Sequence, residues 1–220
     1  MKREHRHQHL RLRVNAVAVI VCGVLLSLAA CDPPRNSAIG HSYTLSEASQ
    51  YVSRDDDGDV KNVIVDVIAS FHPHSSSCSS FMRKVANDIE KTGIVARYRS
   101  ATSIDEQISL AQSAIAAYPR IIVLPKDTLT ESTVKKWMPV LISARSHGVA
   151  IVIAQSISHG AADAAHATHQ TSVPVSEKYY AALWNFERST ATKDTYSLFK
   201  AAMTIVEDKP HNTVMTIVKD

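Results

Sequence analysis

Between Asn62 and Ser156 the sequence alternates short β-branched runs with amphipathic stretches of helix length, and this alternation limits the fold more than any other feature. "NVIVDVIAS" is a mostly apolar run of strand length. It leads into "SSCSSFMRKVANDIEKTG", where Phe81, Val85 and Ile89 recur every four residues and Gly93 stands where a helix ends. "IVARYRS" reads as a second strand. "SIDEQISLAQSAIAAY" reads as a second helix, with Ile108, Ala111, Ala114, Ile115 and Tyr118 on one face and Ser103 with Glu106 as a capping box. "RIIVLP" is the third strand. "TESTVKKWMPVLISARSHG" is a helix with Val134, Trp137, Met138, Leu141 and Ile142 on one stripe, Gly148 at its end and an awkward proline, Pro139, inside it. "VAIVIAQS" is the fourth strand. Such alternation with short connections predicts an α/β fold, a parallel sheet sandwiched by helices, with right-handed crossovers.

Beyond Ser156 the regularity fades. "ISHGAADAAHATHQTSVP" has no strong period and reads as a loop or a poorly specified helix. "SEKYYAALWNF" and "KDTYSLFKAAMTIVED" read as helices, the second with Tyr196, Phe199, Met203 and Val206 at helical spacing, and "NTVMTIVKD" as a fifth strand. The expected division is 1–30, 31–61, 62–156 and 157–220.

The first segment predicts export. "MKREHRHQHLRLR" carries five Lys/Arg against one Glu, and an uncharged apolar run follows from Val14 to Ala30. The run is short for a membrane-spanning helix, which needs about 20 residues. It ends in "LAAC", Leu28 to Cys31, which resembles the bacterial lipobox. That resemblance implies cleavage before Cys31, acylation of Cys31, and a mature chain held by lipid on the extracytoplasmic face of the cell membrane. Asp32 resembles the residue that retains lipoproteins in the inner membrane of Gram-negative bacteria.

Without residues 1–30, the 24 Lys/Arg and 21 Asp/Glu of the whole chain become 19 and 20, so the basic balance belongs to the signal. Nothing in the mature charge points to nucleic acid as a partner. Cys22 lies in the signal and Cys31 takes lipid, so Cys78 is left without an intramolecular disulfide partner. Residues 31–61 read as a flexible tether. Their "DDDGD" does not make an EF-hand, because Gly58 at the sixth place would put Ile64 where the bidentate acid belongs.

Ligands of open parallel sheets bind beyond the carboxyl ends of the strands. "SFHPHSSS", "LPKD" and "AQSISH" stand at three such ends. The opening "IASFHPHSSSCSSFMRKVANDIEKTG", the helix "SIDEQISLAQSAIA", and the runs "RIIVLPKD" and "SARSHGVAIVIAQS" resemble the amino-terminal lobe of type I periplasmic binding proteins, the sugar-type receptors of ABC importers. "TYSLFKAAMTIVEDKPHNTVMTIVKD" resembles that family's crossing into its second lobe. The resemblance implies capture of a small solute, a sugar or sugar-like molecule, for delivery to an ABC permease in the membrane, with no cofactor and no catalysis. Carried over position by position, it implies ligand contacts from Ser70, Phe71, His72 and His74 after the first strand, from Asp127 after the third, and from Gln155 and Ser156 after the fourth. Asp127 is equally suited to capping the next helix. The family's asparagine and stacking rings after the first strand, and its Asp–Arg pair after the fourth, are not matched here. A second lobe needs on the order of 100 further residues, so 157–220 is expected to hold only the start of an incomplete one.

Two alternatives stay open. His72, His74, His159, His166 and His169 supply nitrogen ligands from two loops, and a zinc or copper site needs three or four converging. The lobe could also have lost binding altogether. An enzyme finds little support: no GxSxG elbow, Walker loop or GxGxxG occurs.

Overall fold

The computed structural model describes residues 38–40, 62–70, 76–156, 173–187 and 195–218. In chain order the elements are β1 (Ile64–Ala69), α1 (Ser76–Lys91), β2 (Val95–Ser100), α2 (Ile104–Ala116), β3 (Ile121–Pro125), α3 (Val134–Ser146), β4 (Ala150–Ser156), β5 (Ala182–Glu187), β6 (Thr195–Tyr196), α4 (Leu198–Val206) and β7 (Val214–Val218). The strands form one sheet in the order β2-β1-β3-β4-β5-β7-β6. Every neighbouring pair is parallel. The expected α/β class, a parallel sheet between helices, is what forms.

Both faces of the sheet are apolar because both are covered. Val65, Val67 and Ala69 of β1 face one layer with Met82, Val85 and Ile89 of α1 and Leu198, Ala201 and Ile205 of α4. Ile68 faces the other, with Ala111, Ala114 and Ile115 of α2 and Trp137, Val140 and Leu141 of α3. This segregation follows from crossover handedness. The connections β1–α1–β2 and β6–α4–β7 step toward the β2 edge, whereas β2–α2–β3 and β3–α3–β4 step the other way. Crossovers of one hand must then place α1 and α4 on one face, α2 and α3 on the other.

Local signals act largely as read. Ser103 caps α2 by accepting from the Glu106 N–H at 3.1 Å. The Glu106 carboxylate reaches back one residue further than in a capping box and accepts from the Thr102 N–H at 2.6 Å. The α3 helix runs through Pro139. Its buried stripe is Trp137, Val140, Leu141 and Ala144, which leaves Ile142 exposed.

Three expectations need correction. "SEKYYAALWNF" is not a helix: Glu177–Tyr179 makes a single 3-10 turn and Ala182–Glu187 is β5. Five residues, Trp and Phe among them, pair in register from Val152↔Ala182 to Ser156↔Phe186, so the ladder bonds of β4 outweigh a weak helical pattern. In "KDTYSLFKAAMTIVED", Thr195–Tyr196 is strand and α4 starts only after the Ser197 cap. The buried stripe therefore shifts to Leu198, Ala201, Ala202 and Ile205, and Phe199 is left outside. Finally, the segment expected to start a second lobe builds the same sheet. Strand β7 pairs with β5 over five residues, and the apolar stripe of α4 finds its cover on that sheet.

Residues 38–40, expected to be tether, are docked against the end of α4. Ala38 and Gly40 are buried, and the Gly40 carbonyl lies 2.9 Å from His211 Nε2. The rest of 31–61, Cys31 included, and the signal lie outside the described residues.

Candidate functional site

Chain order reverses direction across the sheet between β1 and β3: β2 lies to one side of β1, and β3 begins the march the other way. At such a switch point adjacent loops diverge and leave a crevice beyond the strand ends. Ser70, the first residue after β1, and Asp127, in the turn after β3, meet there. Ser70 Oγ lies 3.2 Å from Asp127 Oδ1 and 3.4 Å from Oδ2. It also lies 3.4 Å from Cys78 Sγ in the first turn of α1. The Ser70 carbonyl accepts from Ser79 Oγ at 3.3 Å, which ties the end of β1 to that same turn.

Asp127 sits in the 3-10 turn Lys126–Thr128 and does not cap α3, whose N-cap is Thr133. The turn is braced from below. Thr128 is buried, accepts from Gln107 Nε2 at 2.9 Å, and its carbonyl accepts from Thr133 Oγ1 at 2.6 Å. The carboxylate is thus held by its neighbours while remaining exposed at the rim. Lys126 beside it is half-buried, and burial holds its ammonium below the usual lysine range.

Gln155 and Ser156 are at the end of β4, as the sequence implied. Gln155 Nε2 donates to Asn185 Oδ1 at 2.6 Å, and Asn185 is buried at the end of β5. The two polar pairs, Ser70–Asp127 across β1/β3 and Gln155–Asn185 across β4/β5, stand two strand spacings apart, about 10 Å. Ser156 is exposed beside them. Phe186, paired with Ser156, packs edge-on against Phe81 of α1 at 5.3 Å between ring centres. Asn185 and Phe186 escaped the sequence reading because their segment was taken as helix. The signal for a strand was the aromatic enrichment of "LWNF". Phe71, His72, His74, His159, His166 and His169 lie outside the described residues, and among the described residues no three His, Cys, Asp or Glu side chains are grouped to hold a metal.

Cys78 is not an activated thiol. Burial first, then the nearby Asp127 carboxylate, push its pKa from an ordinary 9.0 to about 11, against the lowering effect of Ser70. At pH 8 the folded chain then holds on the order of 100-fold less thiolate than an ordinary cysteine. Alkylation of the Cys78 peptide by iodoacetamide, followed by mass, is expected to be slower by about that factor in the native protein than in urea. Because the unfolded chain loses this proton first, the same shift lowers stability as pH rises from 9 toward 11.

No protein family matches the sequence, and no curated protein does. Solved structures resemble parts of it. One is a Mycobacterium smegmatis protein in complex with β-D-fucofuranose, at 14% identity and a TM-score of 0.39, over 56% of this chain and 34% of that one. Another is the periplasmic binding protein component of the arabinose ABC transporter from Shewanella sp. ANA-3, bound to α- and β-L-arabinofuranose, at 18% identity and 0.40, over 56% and 34%. A third is an ABC sugar transporter subunit from Rhodobacter sphaeroides 2.4.1, at 12% identity and 0.37, over 74% and 57%. The chain spans about a third of the length of the first two.

Proposed function

We propose that this protein is an extracytoplasmic solute-binding receptor, lipid-anchored through Cys31, that takes a sugar or sugar-like molecule at the β1/β3 crevice for an ABC permease. The observation that carries the reading is the Ser70–Asp127 pair at the switch point, a carboxylate braced from behind and exposed in front. An exposed carboxylate next to a hydroxyl suits a ligand rich in hydroxyl groups, since hydrogen bonds to a charged acceptor are worth about 1.5–3 kcal/mol each. The export signal and the sequence resemblance support the same reading. Gln155 and Asn185 offer a second pair of amide groups along the rim.

Calorimetry against a panel of pentoses and hexoses tests the function. Binding of one of them is expected, and Asp127→Ala is expected to weaken it about 10- to 100-fold. Silence across the panel removes the sugar-receptor reading. Binding that Asp127→Ala leaves intact moves the site away from this crevice. The mass of the mature amino terminus tests acylation of Cys31 separately.

A further inference from the structure

Strand β2 ends the sheet, and nothing among the described residues pairs with its outer side. The Val95 N–H donates to the Val63 carbonyl at 3.2 Å and the Ala101 N–H to that of Ala69 at 3.3 Å, so the odd-numbered residues turn their backbone toward β1. In a parallel ladder the residues between them point the other way. Ala96, Tyr98 and Ser100 therefore present three N–H groups and three carbonyls at the edge, an open template for another strand. Helix α1 holds the middle of that edge in place. Tyr98 donates its hydroxyl to the Ser79 carbonyl at 3.3 Å, and the Arg83 guanidinium stacks over its ring, 4.8 Å from the ring centre.

Exposed sheet edges are commonly guarded by charged side chains. Here the two candidates on β2 are drawn off: Arg97 and Arg99 point inward to Asp66, away from the edge. Their charge still marks the surface. Strands β1 and β2 and helix α1 together carry five Lys/Arg (Arg83, Lys84, Lys91, Arg97 and Arg99) against three Asp/Glu (Asp66, Asp88 and Glu90), an excess of two. Of the 19 basic and 20 acidic residues after residue 30, that leaves 14 and 17 elsewhere, so the cationic excess is local to this edge. Asp66 and Asp88 are each already bound by two cations. A second copy would bring the same cations to the same edge, where like charges repel. An extended segment rich in Asp or Glu complements them.

We propose that the outer edge of β2 is a docking site for an extended acidic segment of a partner protein, added to the sheet through the backbone of Ala96, Tyr98 and Ser100 and selected by Arg83, Arg97 and Arg99. Such a strand would stand two spacings from β1, about 10 Å, beside the Ser70–Asp127 crevice and clear of it. The proposal does not depend on what the crevice takes, and it leaves the rim open.

The test uses the full chain, purified in detergent from a bacterial host, and calorimetry with a short capped peptide that alternates aspartate with valine and threonine. Binding is expected, with an affinity that falls as salt is added. Replacing the aspartates by lysine, or methylating the peptide's backbone nitrogens, is in each case expected to weaken binding at least about 10-fold. Arg83 is exposed on α1, and Arg83→Glu is expected to weaken binding of the acidic peptide about 3- to 10-fold with the circular dichroism unchanged. Equal binding of the lysine peptide, or an Arg83→Glu variant that binds as the parent does, overturns the selection by charge. Equal binding of the methylated peptide overturns strand addition. No binding of the acidic peptide overturns the proposal as a whole, and a full chain that then sediments as a dimer gives the edge to a second copy instead.

Discussion

Replacing Arg97 and Arg99 together by alanine is expected to lower the unfolding free energy by about 3–5 kcal/mol, because it strands a buried carboxylate. Asp66 lies in the middle of β1 with no exposed surface. Register sets Arg97 directly across from it on β2, and Arg99 two residues on, so all three side chains project to the α2 face. Arg97 Nη2 lies 2.5 Å from Asp66 Oδ2, and Arg99 Nε lies 3.1 Å from Oδ1. Each oxygen of the carboxylate thus has its own guanidinium. Either single replacement leaves one partner and is expected to cost less than half of the double loss. Adding Asp66→Val to the double variant is expected to recover most of it, since the cost comes from the unpaired charge rather than from lost attraction. Urea midpoints at pH 7 compare the four variants with the parent. If the double variant unfolds at the parent midpoint, the triad contributes nothing to stability.

The second large effect is expected at Trp184→Ala, about 3–5 kcal/mol, from the cavity that a buried indole leaves in a core. Trp184 is wholly buried on β5, between the α1/α4 layer and the sheet, with Phe186 edge-on at 6.4 Å. Its Nε1 is buried and has no hydrogen-bond partner among the described residues. Trp184→Phe removes that unpaired donor and keeps a ring, so its cost should be on the order of 1 kcal/mol. Thermal and urea unfolding distinguish the two. An alanine variant as stable as the phenylalanine variant contradicts the placement of β5 in the centre of the sheet.

These two sites show what a reading of the chain could and could not reach. Asp66 interrupts "NVIVDVIAS" and looks like an ordinary polar residue in a strand. "ARYR" shows the alternation that puts both arginines on one face, but which strand lies beside it is a matter of sheet order. The same limit applies at the crevice. Asp127 and Ser70 could be named as strand-end residues, because an apolar run that stops at "LPKD" marks its own end. Their contact, 57 positions apart, depends on β3 lying next to β1 on the side away from β2. Cys78 joined them only because α1 starts above the same crevice.

Periodicity decides local structure, so four strands, three helices and the parallel class were already written between Asn62 and Ser156. Spacing of apolar residues is a property of neighbours in the chain, and burial on both faces follows from it. Sheet order, the faces chosen by each crossover, the recruitment of β5 and β7 into one layer, and the clasp of Gly40 by His211 were decided by tertiary structure alone. They pair residues far apart in sequence, whose ladder bonds and shared apolar cover outweigh the weak local preferences of "YYAALWNF" and of the short segment at Gly40.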